Sequence, residues 1–194
     1  MAASRLIPIL TLAIGLALPV HAADESAALQ VADTLVEDAH GALTAQAGAD
    51  ERAERLRAAL QSSFAFDIWE RFLIDPEKDG FSADQMIEFR ALLPGFLANL
   101  YANQFGKGLE AKPEIIEARP ARKDILVRAA IPRANGKNLP VDWRIRDLGD
   151  RGHMVIDVMV GGTSFLILKR DEFRGVLDQG GPEGLLDFMR QNSI

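Results

Sequence analysis

His153 and Asp157 are the nearest thing to an acid–base pair in this chain. They lie four positions apart in a run of alternating apolar residues, an offset that puts both on one face of an unbulged strand. In a pocket, with the acid buried, such a pair could serve an isomerase or a dehydratase. The same face also carries Val155 and Met159, and no third group is placed to orient the histidine. Gly161-Gly162-Thr163-Ser164 offers a serine, yet no Gly-x-Ser-x-Gly elbow surrounds it, so Ser164 reads as a group that satisfies backbone where a strand ends. The segment from Asp75 to Gly80 opens like a calcium loop and then fails. Glu77 stands at its third position, Ala83 at its ninth, and Met86 where a bidentate glutamate belongs. It reads as a turn leading to a helix cap.

Composition removes further chemistry. Zero cysteines exclude disulfides, thiolate nucleophiles and cysteine-held metal. Twenty-two basic against twenty-eight acidic residues argue against nucleic acid as the main partner. There is no glycine-rich phosphate loop, Walker lysine or His-Glu-x-x-His motif, so no cofactor, metal or catalytic residue is expected.

The elements that would position these residues begin after residue 22. Arg5 precedes an apolar run, Leu6–Val20, which is followed by His21 and Ala22. This is the layout of a secretory signal peptide, and fifteen residues with two prolines fall short of the roughly 20 needed to span a bilayer. Cleavage after Ala22 removes Arg5, leaving 21 basic and 28 acidic residues, a net charge of −7. The expected organisation is a signal peptide over 1–22 and a single domain over 23–194. The domain divides into a helical part (24–105), a sheet part (110–168) and closing helices (171–191).

Leu29, Ala32, Leu35, Val36, Ala39 and Leu43 recur at three- and four-residue steps, predicting a helix capped by Asp24 and ended by Gly48. A second helix is expected from Asp50 to Phe64, with Ala53, Leu56, Leu60 and Phe64 on its buried face. Ser82 and Gln85 form a capping box for a long helix, Ala83 to Phe105. Its apolar side holds Met86, Phe89, Leu93, Phe96, Leu97 and Leu100, widened by Ile87 and Leu92, and Pro94 predicts a kink near Arg90.

Past Gly106 the period falls to two, giving four strands: Pro113–Ala118, Ile125–Ile131, Leu139–Asp147 and His153–Gly161. Turns at Asn135-Gly136-Lys137 and Gly149–Gly152 make an antiparallel meander. One face holds Val141, Trp143 and Ile145 with Met154, Ile156, Val158 and Val160; Asp142 and Asp157 are expected to pair with Arg144 or Arg146 across strands. Phe165–Leu168 is a short apolar run, and two helices split by Gly180-Gly181 close the chain. Periodicity alone leaves open whether the apolar faces form an ordinary core or curl around a ligand cavity.

Two stretches resemble a known family. Val141–Asp147 (VDWRIRD) and Gly152–Phe165 (GHMVIDVMVGGTSF) resemble the central strands of the MlaC, or toluene-tolerance, family. Ser82–Gln85 is similar to that family's helix start, Tyr101-Ala102 to its Thr-Tyr-Ala segment, and Phe173–Leu186 to its Gly-Gly-x-x-Gly-Leu ending. The chain departs from the pattern at His153, Ile156 and Gly161, and lacks the usual Gly-x-x-Trp within Phe72–Gly80.

The resemblance implies an α+β fold: N-terminal helices packed on a curved antiparallel sheet of four to five strands, an NTF2-like or cystatin-like roll enclosing an apolar cavity. It implies a monomeric periplasmic phospholipid carrier and not an enzyme, the rival being a small-molecule enzyme on an NTF2-like fold that would use the His153–Asp157 pair. Such a carrier shuttles between an outer-membrane lipoprotein–porin complex and an inner-membrane Mla-type ABC transporter, with a hopanoid or sterol-like lipid as the alternative cargo. Trp143, Ile145, Ile156, Val158 and Val160 would then line the sheet side, Leu93, Phe96, Leu97 and Leu100 the helix side, and Phe165 and Leu166 the closing segment. Two chains of about 16 carbons exposed to water would cost on the order of 25 kcal/mol, the barrier such a cavity removes.

Overall fold

The computed structural model describes residues 20–105, 111–133 and 136–194; the expected signal segment up to residue 19, and Asn135 of the second strand turn, lie outside the described residues. The first helix, α1 (Val20–Thr44), buries Ala28, Ala32, Leu35, Val36, Ala39 and Ala42. Its alanines let the backbone lie close across the sheet, against β1 (Glu114–Ala121), β2 (Asp124–Pro132), β3 (Asn138–Asp147) and β4 (His153–Val160). Asp24 is inside α1 rather than at its cap, because Ala22 and Ala23 continue the helix upstream.

The remaining helices build a second layer. The helix α2 (Ala49–Ser63) packs on α1 and buries Leu56, Ala59 and Leu60. An eight-residue helix that the sequence reading did not mark, α3 (Phe66–Leu73), buries Trp69 and Leu73. Asp75 caps the one-turn helix α4 (Pro76–Asp79), and Gly80 ends it in the left-handed conformation at φ 77°. The capping box forms as expected at α5 (Ala83–Phe105): Ser82 N donates to Gln85 Oε1 at 3.0 Å and Gln85 N to Ser82 Oγ at 3.2 Å. The helix continues through Pro94, and Ile87 is 64% exposed, outside the buried stripe.

Next to Pro94, Gly95 serves close approach. A Cβ there would meet Ile194 O at 2.7 Å. Ile194 N donates to Gly95 O at 3.3 Å, Arg57 Nη2 to Ile194 O at 2.7 Å, and Asn99 Nδ2 to Asn192 O at 2.8 Å, fastening the last residues across α5 and α2.

The sheet is an antiparallel meander of order β1-β2-β3-β4-β5, closed by a two-residue strand β5 (Thr163–Ser164). Ser164 then caps α6 (Phe165–Gln191), its Oγ accepting from Ile167 N at 3.2 Å. The Phe165–Leu168 run is therefore the first turn of α6. The expected break between closing helices falls at Gly181, whose φ of 61° and ψ of −163° interrupt the helix. Phe173 and Phe188 of α6 pack, tilted or edge-on, against Phe89 and Phe96 of α5 at centroid distances of 5.3–6.2 Å, the aromatic centre of the helical layer.

Strict alternation fails on β4. Arg144 pairs with Asp157 but Ile145 pairs with Val155, so Ile156 is an extra residue in a bulge. Val155, not Ile156, joins the core beside Val158, and Ile156 is buried outside that cluster. The bulge also separates His153 from Asp157: His153 Nε2 faces Asp24 of α1 at 3.9 Å, while Asp157 turns toward α6. The acid–base pair read from the sequence is not formed. On the sheet's outer face the charge pairing differs from expectation as well. Asp142 accepts a fork from Arg128 at 2.7 and 3.0 Å, and Asp124 takes Arg144 and Arg146 at 3.0 and 2.6 Å. Neither Asp142 nor Asp157 accepts from Arg144 or Arg146, because β2 supplies the carboxylate that those arginines reach.

Candidate functional site

Beyond β5 the upper edge of β4 is open, and the corner between α2 and α3 covers it. Phe64 bridges Val155 in parallel, and Ala65 N donates to Val155 O at 3.0 Å. This contact pins Phe64 and Trp69 beside the sheet, with their rings 5.6 Å apart. On the far side of β4, Asp157 organises the entry into α6. Its Oδ1 accepts from Val158 N at 2.8 Å and Leu166 N at 3.2 Å, and its Oδ2 from Ser164 Oγ at 2.7 Å. Burial pushes this carboxyl above the usual carboxylate range, against the pull of those three donors and of Arg144. The turn before β5 uses Gly161 and Gly162 at φ 58° and 84°, which fixes where Phe165 emerges.

Between these two corners and the C-terminal half of α5 lies an apolar cleft. Leu60, Phe64 and Trp69 form one wall; Leu97, Leu100, Tyr101 and Gln104 form the second; Val158, Val160 and Phe165 form the third. Among the described residues no ionisable side chain except Tyr101 lines it, and burial pushes the Tyr101 hydroxyl to a higher pKa. The space measures about 340 Å³ including its open mouth, but a water-sized sphere can be centred in only about 20 Å³ of it. That is room for about one water molecule.

At its rim Lys169 Nζ sits 5.3 Å from the Phe165 ring centre, and Arg170 Cζ 5.2 Å from that of Phe72. Phe72, Ile167 and Leu168 stay exposed around this turn, at 40, 44 and 50%.

Of the residues expected to line a cavity, the structure brings Leu97, Leu100, Val158, Val160 and Phe165 to the cleft. Phe96 packs instead against the α6 rings of Phe173 and Phe188; Leu93, Trp143, Ile145 and Leu166 belong to the buried core, and Ile156 lies outside that cluster through the bulge. Leu60, Phe64, Trp69, Tyr101 and Gln104 were missed as lining. The available signal was the density of aromatics at Phe64, Phe66 and Trp69, three within six residues.

Three comparisons bear on the site. Among curated proteins, none matches this chain. Among solved structures, it resembles the phospholipid-binding protein from Ralstonia solanacearum, determined in complex with a phospholipid. The TM-score is 0.66 at 15% sequence identity, over 87% of this chain and 96% of that one, which shows a common fold. The sequence also matches the family described as MlaC protein over residues 29–191, and by that match the chain belongs to the MlaC family.

Proposed function

We propose that this protein is a periplasmic phospholipid carrier that shuttles lipid between the outer-membrane lipoprotein–porin complex and the inner-membrane ABC transporter of an Mla-type system. The observation that carries the reading is the cleft. Its three walls are almost wholly apolar, it opens to solvent, and it lies in a fold shared with a protein solved around a phospholipid. Acyl chains would rest against Leu60, Leu97, Leu100, Val158, Val160 and Phe165, with the headgroup at the open mouth. Leu93, Phe96, Trp143, Ile145 and Leu166 would support these walls from behind.

With free space for about one water, the cleft must widen to accept a chain. The segment carrying Phe165 is bounded by Gly161-Gly162 on one side and by the Gly181 break on the other, so it supplies the moving wall. The test is organic extraction and native mass spectrometry of residues 23–194 purified from the periplasm. Stoichiometric phospholipid is the expected result. A chain that stays empty after incubation with phospholipid vesicles refutes the carrier, and a mature N-terminus other than Ala23 refutes the processing site.

A further inference from the structure

Trp69 presents an unanswered question in the cleft wall. The residue is 1% exposed, and its indole Nε1 is buried with no hydrogen-bond acceptor among the described residues. Buried N–H groups without partners are rare in folded proteins, and one carried by a residue that lines a cleft can be answered by a ligand bound there. The ring cannot easily turn to find one. Its main chain is fixed by the Trp69 N bond to Ala65 O at 3.1 Å and by the Ala65–Val155 contact that ties the whole corner to β4, and its ring packs at a tilt of 49° against Phe64, 5.6 Å away.

Resting on the lipid-carrier reading above, we propose that the Trp69 indole N–H donates to an ester carbonyl of the bound lipid, making this carrier selective for ester-linked over ether-linked chains. The chemistry of a phospholipid leaves few alternatives. Methylenes accept nothing. The phosphate is charged, and among the described residues the wall holds no lysine or arginine to balance it if it were drawn in to Trp69. The ester carbonyl is the uncharged acceptor that joins headgroup to chain, so it can be buried at modest cost once it meets a donor. A carbonyl fixed at Trp69 sets the depth to which the chains enter. Trp143 supplies the contrast: its Nε1 is equally buried and unpartnered, yet it lies in the sheet core and not in the cleft.

The experiment compares two phosphatidylethanolamines of identical chain length, one diester and one diether, with the wild type and Trp69→Phe. The wild type should bind the diester about three- to tenfold more tightly, the range of one net hydrogen bond. Trp69→Phe keeps a ring and loses the donor, so it should bind both lipids equally. Equal weakening on both lipids means that Trp69 only packs, and discrimination that survives in the variant places the donor elsewhere; either result overturns the assignment. Binding of neither lipid by the wild type fails the carrier reading and the assignment together.

Since Trp69 is deeply buried and the variant could misfold, the wild type carries a second measurement. With 15N-labelled tryptophan the chain has two indole resonances. Diester lipid should move that of Trp69 downfield and diether lipid should not, with Trp143 as the internal reference. Identical shifts with the two lipids overturn the proposal.

Discussion

Removing the Asp157 carboxylate tests how the β4–α6 corner is held. Asp157 is 6% exposed and accepts from two buried main-chain donors, Val158 N and Leu166 N, and from the Ser164 hydroxyl. In Asp157→Ala both N–H groups lose their acceptor. A buried donor left without a partner costs about 1–3 kcal/mol, so two cost about 2–6 kcal/mol; water entering the vacated space brings the expectation to about 3 kcal/mol. Asp157→Asn behaves differently. Its carbonyl oxygen can take both N–H groups, and its amide can donate to Ser164 Oγ, so the change stays under about 1 kcal/mol.

The pH dependence gives an independent reading. Burial raises the Asp157 pKa above its unfolded value, so the folded state binds this proton more readily than the unfolded one. The ionised carboxylate therefore costs stability at neutral pH, and that cost is relieved as pH falls through the folded-state value. Relative to Asp157→Asn, the wild type should gain stability on acidification from neutral pH toward the ordinary carboxylate range. Urea unfolding of all three proteins at pH 7 and at mildly acidic pH measures both effects, with the slope m checked for constancy. The reasoning is refuted if Asp157→Ala lies within about 1 kcal/mol of wild type, or if the Asn variant is as damaged as the Ala variant.

Other perturbations read other parts of the molecule. Gly95→Ala places a Cβ against Ile194 O, so hydrogen exchange should rise at Asn192–Ile194 while α5 stays protected; unchanged exchange there would show that the tail shifts freely. Arg128→Ala strands the 5%-exposed Asp142 side chain, whereas Asp142→Ala leaves an arginine that water can reach, so the first should destabilise at least about twice as much by thermal melting. Leu100→Glu puts a charge on the α5 wall of the cleft at a half-buried helical position, and co-purifying lipid should fall roughly tenfold with far-ultraviolet circular dichroism unchanged. Ser82→Ala removes one half of the capping box and should cost about 1 kcal/mol in chemical denaturation.

What could be read in the chain beforehand was what local spacing encodes. Ser82 and Gln85 sit three apart and bond each other, so α5 starts where that pair says. The four long strands follow their alternation to within a few residues at each end. Ile156 shows where this stops. A bulge inserts one residue opposite Ile145, and nothing in the sequence His-Met-Val-Ile-Asp marks which residue is the extra one. Trp69 was invisible as a wall of the cleft for another reason. Its position is decided by a main-chain bond from Ala65 to Val155, ninety residues along the chain, which no periodicity reports. Phe96 is grouped with Leu97 by spacing, yet the Phe173 and Phe188 rings of α6 claim its side of α5.

For the carrier proposed above, the near-absence of free space in the cleft has a consequence for handing cargo over. If the open form is only a small fraction of the empty protein, the apparent dissociation constant is the intrinsic one divided by that fraction. Affinity is then set below what the apolar contact alone would give, and each departing lipid is replaced by the protein's own side chains instead of by water or a void. A shuttle must bind well enough to cross an aqueous space and loosely enough to surrender its load, and a pocket that refills itself moves the balance toward surrender.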